Sequence, residues 1–324
     1  MSTGLRIELK QTPSLSKKMT KTLGKALIFG CGYLGRRVAQ KWLETGGEVT
    51  VTTRTPSKLG DLRWRGAKVV VADWNDRRSL QRLPDHDRIL VAVAYDPRSG
   101  VGRLESQVLG LDHLLQATDP AADVCYISTT GVYHQDGGCW VDENSPCHPA
   151  RAASRAHLLA ESLLAQRRGP RLFSETPDTN RQRGRWVVLR LAGIYGPGRI
   201  PRGANVLQNL PIAADPKSFV NLIHVQDAAE TVIQSWTVDR SVRQPCYVIA
   251  DGHPVRRGDF YREIARLTGS PPPRFVEASE NQPLTRRSEG NKRIWAERFR
   301  KDLLPTLQFP TFREGLQDSL AGLR

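Results

Sequence analysis

Residues 26 to 55 read ALIFGCGYLGRRVAQKWLETGGEVTVTTRT, an apolar run that meets three glycines and passes into an amphipathic segment and a second apolar run. Positions 26 to 29 carry no polar side chain, so the run reads as a strand buried on both faces, as a central parallel strand must be. A tight turn has to follow. Gly30 permits that turn, Gly32 removes the Cβ that would hold a pyrophosphate off the backbone, and Gly35 lets the next helix lie close to the strand. The helix presents Leu34, Val38 and Leu43 on one face, with Trp42 alongside, and its N-terminus offers unpaired N–H groups to an anion. Strand, glycine loop, helix and the strand at Val49-Thr-Val51 together make a dinucleotide-binding unit. Its phosphate cradle is Gly30, Cys31, Gly32, Tyr33, Leu34 and Gly35.

The residues closing the second strand select the dinucleotide. An NAD site places a carboxylate about 20 positions on, where it accepts from the ribose 2′-hydroxyl. This chain has Thr52, Thr53, Arg54 and Thr55 there. A guanidinium binds a 2′-phosphate through its fork of donors, and a carboxylate would repel it. NADP is therefore the expected cofactor, with NAD as the second candidate.

The 324 residues suffice for one large α/β domain and a smaller lobe. Apolar runs at 68–71, 88–91, 124–127 and 186–189 read as buried strands and alternate with helical patterns. The order predicts an α/β, Rossmann-type doubly wound parallel sheet over residues 25–195, followed by a C-terminal substrate lobe over 196–324. Residues 245–250 return to the sheet. A Thr311…Glu314 capping box opens the last helix, with Phe312, Leu316, Leu320 and Leu323 on its apolar side.

Residues 1–24 are polar and basic and read as a disordered extension, with Met19 as a second possible start. No apolar run approaches the roughly 18 residues of a membrane span. The five cysteines form no C-x-x-C pair, so neither a disulfide framework nor a zinc site is indicated, and a reducing, cytoplasmic setting is expected. Net charge is +15, but the arginines are scattered and aromatic residues make up only 7%. That pattern points to an arginine-rich surface that steers phosphate ligands rather than to nucleic acid. The densest basic run, 166–185, is expected as a loop inserted before the sixth strand. The expected state is a monomer or homodimer acting on a small molecule.

Three further segments carry a resemblance: ISTTGVY at 127–133, LRLAGIYGPGR at 189–199 and NLIHVQD at 221–227. With the glycine loop they resemble the extended short-chain dehydrogenase/reductase family, the NAD-dependent epimerase/dehydratase group, over nearly the whole chain from residue 25. KRI at 292–294 and FPTFREGL at 309–316 resemble its atypical, YeeZ-like branch. The resemblance implies that Thr129 is the catalytic hydroxyl holding a substrate oxygen, that Asp73 contacts adenine, and that Ala92, Val93 and Ala94 line the ribose. It implies too that residues 193–195 pass near the nicotinamide, and that nucleotide sugars are the substrate class.

The chain departs from this family where the proton is moved. The family uses a Tyr followed four residues later by a Lys that lowers its pKa. Aligned on Leu158-Leu-Ala-Glu161, those positions hold Ala153 and His157, and the sequence contains no Tyr-x-x-x-Lys at all. Phe29 also replaces the family's usual first glycine. His157 and Tyr133 become the candidates to move the proton, with activity expected to titrate in the histidine range. The alternatives are a noncatalytic NADP-binding sensor and, on charge alone, a nucleic-acid-associated protein.

Overall fold

Short apolar strands joined by helices pair in parallel, because each crossover returns the chain to the same end of the sheet. The computed structural model describes residues 24–169, 184–239, 245–276 and 290–323. Strands β1 (Lys25–Phe29), β2 (Glu48–Thr53), β3 (Lys68–Val71), β4 (Arg88–Val91), β5 (Asp123–Thr129), β6 (Trp186–Leu191) and β7 (Cys246–Ile249) form one seven-stranded sheet. Its order is β7-β6-β5-β4-β1-β2-β3, and every pairing is parallel. The chain runs outward from β1 in one direction to β3 and then in the other from β4, so a switch point lies between β1 and β4. Ligands of such sheets bind at the carboxyl ends of the strands beside that point.

Helices α1 (Tyr33–Glu44), α2 (Arg103–Ala117), α3 (Ala152–Arg168) and α4 (Val225–Thr237) cover the sheet. On one face α1 and α4 bury Val38, Trp42, Val232 and Trp236 against β1, β2 and β6. Trp42 is fully buried and meets Trp236 edge to face at 5.3 Å, so it is the anchor of α1, while Leu43 is only partly buried. On the other face α2 and α3 bury Leu111, Leu114, Ala160 and Leu164 against β4 and β5. A third cluster, Tyr195, Ile212, Phe260, Phe312 and Leu316, forms the lobe core around α5 (Arg257–Thr268) and α6 (Phe312–Leu320). The Thr311–Glu314 capping box is present at the start of α6.

The expected division at residue 195 is corrected by the packing. Helix α4, strand β7 and the tail residues Ile294, Phe299, Leu303 and Leu307 all join the core of the sheet, so the chain passes between sheet and lobe several times. Strand β3 is not a buried strand: Val71 is 51% exposed because β3 is the edge of the sheet. Residues 166–168 are not loop but the last turn of α3, where Arg168 donates to the carbonyls of Pro120 and Ala122. Arg185 is equally well fixed, bonded to Asp123 and to the carbonyls of Trp236 and Val238. The rest of the expected inserted loop, 170–183, and the expected N-terminal extension, 1–23, lie outside the described residues. Among the described residues no helix is long and apolar enough to cross a membrane.

Candidate active site

The turn after β1 is shaped by its glycines. Gly30 has φ +98°, and a Cβ there would stand 2.6 Å from the Ala92 carbonyl. A Cβ on Gly35 would stand 2.5 Å from the Gly30 oxygen, so α1 packs directly on the loop and Gly35 lies beneath the site rather than on it. A Cβ on Gly32 would meet no protein atom within 4 Å. Gly32 instead borders a cavity of 1090 Å³ at the carboxyl ends of the strands.

Gly30, Cys31, Gly32, Tyr33, Leu34, Arg54, Asp73, Ala92, Val93, Ala94, Thr129, Tyr133 and His157 all border that cavity. Position 153 does not, although Ala150 and Arg151 do. Thr129 ends β5, and its Oγ1 accepts from the Gly131 N–H at 3.0 Å, which leaves the hydroxyl proton to donate. Asp73 opens a turn, accepting from the Asn75 N–H at 2.9 Å. Burial pushes the Cys31 thiol up to about 12, so it stays protonated and unreactive.

Arg54 stands at the end of β2, but its guanidinium is engaged. Nη2 donates to Asp96 Oδ2 at 2.7 Å, and Nη1 lies 3.9 Å from Asp73. The Arg98 N–H, together with Arg54 and Arg98 side chains, holds the Asp96 carboxyl down near 2. Asp96 escaped the sequence reading because it follows β4, 42 residues from Arg54.

Tyr133 is committed elsewhere. Arg190 donates from Nη2 to Glu161 at 2.7 Å and from Nη1 to the Tyr133 hydroxyl at 2.9 Å, and Ser128 donates to the same Glu161 carboxylate. Tyr133 is 2% exposed, and burial raises its pKa well above the usual phenol value. The hydroxyl accepts from Arg190 and keeps its own proton to donate, while its burial and raised pKa work against the expectation that it moves a substrate proton.

His157 borders the cavity, yet both ring nitrogens have partners. The Tyr126 hydroxyl lies 2.9 Å from Nδ1, and the Gln107 amide lies 3.3 Å from Nε2. With the Gln107 amide donating to Nε2, the ring's Nδ1–H donates to the Tyr126 hydroxyl, and Gln107 Oε1 has no partner among the described residues. Burial, reinforced by the charge of Arg103, lowers the imidazole to about 4. The expected titration in the ordinary histidine range is corrected accordingly. His224 and Asp227, in contrast, are structural: His224 caps α4, and Asp227 accepts from the backbone of Gln308 and Phe309.

Two cations were missed by the sequence reading as site residues. The strand Lys292–Ile294 pairs with Cys139–Val141 and brings Lys292 to the cavity wall, where Nζ donates to the Tyr133 carbonyl at 2.9 Å. Arg257, the first residue of α5, borders the same cavity from the lobe. Neither position follows from local spacing, because each is more than 120 residues from Thr129 in the chain.

Residues 26–250 match the model of the NAD dependent epimerase/dehydratase family. Among relatives, protein YeeZ of Escherichia coli K12 is 27% identical over 267 residues, covering 78% of this chain and 86% of its own. A solved structure of a functionally unknown conserved protein from Silicibacter pomeroyi is 28% identical, covers 92% of this chain and 99% of its own, and superposes with a TM-score of 0.70. The UDP-glucose 4-epimerase of Thermotoga maritima, at 17% identity and a TM-score of 0.74 over 93% and 98% of the two chains, shares the fold. With its family match spanning the sheet and its glycine loop, the chain belongs to the NAD-dependent epimerase/dehydratase family, and atypical extended short-chain dehydrogenases/reductases are among its relatives.

Proposed function

We propose that the chain is an NAD(P)-binding oxidoreductase or epimerase of altered mechanism, acting on a small molecule for which nucleotide sugars are the family-level class. The observation that carries this reading is that the glycine loop and Thr129 open onto one cavity at the sheet's switch point. Gly32 leaves the backbone bare where a pyrophosphate would approach, Gly30 and Gly35 shape the turn beneath it, Asp73 would contact adenine, and Ala92 to Ala94 would flank the ribose. The dinucleotide, when bound, supplies hydride chemistry. Thr129 donates its hydroxyl to a substrate oxygen. Ala153 and His157 occupy the positions of the family's Tyr and Lys, so the proton path differs. Loss of a positioned acid/base costs about 10² to 10⁴ in rate without forbidding the reaction.

Arg54 supports NADP over NAD. Its Asp96 pair is solvent-exposed on the arginine side, and a phosphate with nearly two charges competes well for an exposed guanidinium. Calorimetry tests this. NADP should bind about tenfold or more tightly than NAD, Arg54→Ala should remove most of that difference, and Gly32→Leu should abolish binding of both with the fold intact. Equal affinities in the unmodified chain would overturn the NADP assignment, and unchanged affinity in Gly32→Leu would overturn the cofactor site.

Turnover should be slow, should fall in Thr129→Val and His157→Ala, and should not titrate between pH 6 and 8, because His157 is already neutral there. A steady-state pH profile with an inflection near 6.5 that His157→Ala removes would contradict this account. The burial of the Tyr133 hydroxyl and the full partnering of His157 also favour a second reading, a noncatalytic NADP-binding sensor. Tight cofactor binding without cofactor oxidation or reduction across carbonyl and nucleotide-sugar substrates would select it.

A further inference from the structure

A buried arginine normally keeps an anion beside it, because removing a charge from water is costly unless it is paired. The described residues follow this rule at Arg190, which holds Glu161, and the partly buried Arg185 likewise holds Asp123. Arg168 donates to the carbonyls of Asp119, Pro120 and Ala122 and does not border the cavity. Arg257 breaks the pattern. It is only 6% exposed, yet its hydrogen-bond partners are the Ser218 hydroxyl at 2.9 Å and the carbonyls of Phe219 and Gly290 at 3.5 and 3.4 Å. Among the described residues it pairs with no carboxylate, and it borders the cavity.

Lys292 repeats the situation from the other wall. Its ammonium has three donors, of which one reaches the Tyr133 carbonyl, and among the described residues no carboxylate lies within ion-pair distance. The nearby Asp136 is exposed, and its Oδ1 accepts from the Asn291 N–H. One segment holds both cations in place. Asn221 donates to the Lys292 carbonyl and accepts from the Ile294 N–H, each at 2.9 Å, while Asn291 Oδ1 accepts from the Phe219 N–H at 3.0 Å. The same segment offers the Gly290 carbonyl to Arg257. Arg151 and Arg199 border the cavity as well and add to its positive potential.

We infer that Arg257 and Lys292 form a seat for an oxyanion of the substrate, a carboxylate or a phosphate, on the lobe side of the cavity. The inference rests on the proposed cofactor-and-substrate reading of that cavity. The cofactor's own pyrophosphate belongs to the glycine loop, so this seat faces the second ligand. Its two cations are preorganised by backbone and amide contacts and need no reorganisation to receive a charge. The contact is charge-assisted, so it discriminates strongly against neutral analogues.

Calorimetric titration of the full chain at low ionic strength with inorganic phosphate and, separately, malonate tests the seat. At least one probe should bind, and whichever binds more tightly identifies the anion class. Lys292→Met should weaken that binding by about tenfold or more, Lys292→Arg should retain it, and Arg257→Lys should weaken it with the melting temperature little changed. Failure of both probes to bind, or equal binding by Lys292→Met, would overturn the seat. NADP titrations on the same samples separate the two readings. Anion binding lost in Lys292→Met alongside absent cofactor binding would uphold the seat and overturn the proposed function, while intact cofactor binding with no anion bound would do the reverse.

Discussion

The variant Glu161→Ala should unfold about 3 to 5 kcal/mol more readily than the parent chain in urea titrations. Glu161 and Arg190 are each 8% exposed, and the carboxylate accepts three bonds from the guanidinium and one from Ser128. Ser128 and Arg190 are direct neighbours across the β5–β6 ladder, and Glu161 reaches them from α3. Removing the carboxylate leaves a buried guanidinium with the Tyr133 hydroxyl and the Cys147 thiol as side-chain partners, neither of them an anion. Replacing both charges should cost much less, since an apolar pair of similar volume forgoes desolvation as well as attraction. Glu161→Leu with Arg190→Met should therefore recover most of the loss, and a double-mutant cycle should show strong coupling. A change below about 1 kcal/mol in Glu161→Ala would show that the pair is solvated and that Tyr133 is free to act elsewhere.

This network explains which parts of the site were legible in the sequence. The strand–loop–helix unit is local: its glycines and apolar runs lie within 30 residues, so spacing alone gave the turn at Gly30 and the close packing of α1 at Gly35. The apolar runs of β1, β4, β5 and β6 were legible for the same reason, and Cys246–Ile249 returned to the sheet as expected. What a residue's neighbours do to it was not legible. Tyr133 and His157 have the right chemistry and border the right cavity, but Arg190, Tyr126 and Gln107 reach them from other elements and take their polar atoms. Lys292 reaches the cavity because a tail segment crosses back from the lobe, and Arg257 reaches it from the lobe itself. Sequence order gives no sign of that crossing. Val71 was misjudged because an apolar run does not reveal whether its strand lies at the centre or the edge.

Asp251 should make the fold less stable as pH rises from 4 to 7. The residue follows β7 and is 1% exposed. Oδ1 accepts from the His253 N–H at 2.9 Å, and Oδ2 has no partner among the described residues. Burial pushes its carboxyl up to about 7, with Asp227 and Glu314 adding to the rise and Arg300 opposing it. The native state therefore keeps a proton that the unfolded chain releases near 3.8, so the stabilisation is complete below that value and lost as pH rises through 7. About three units at about 1.4 kcal/mol each set a scale of about 4 kcal/mol across the window. The parent chain's own pH curve will not display it cleanly. His157 and His224, both lowered to about 4 by burial, act in the opposite sense: their stabilisation is present above 6.5 and lost as pH falls toward 4. The difference between Asp251→Asn and the parent isolates the carboxyl. Because the amide does not ionise, the variant should gain stability relative to the parent from pH 4 to 8, reaching about 2 kcal/mol or more at pH 8. Parallel curves for the two proteins across that range would show that Asp251 titrates as an ordinary, solvated carboxylate.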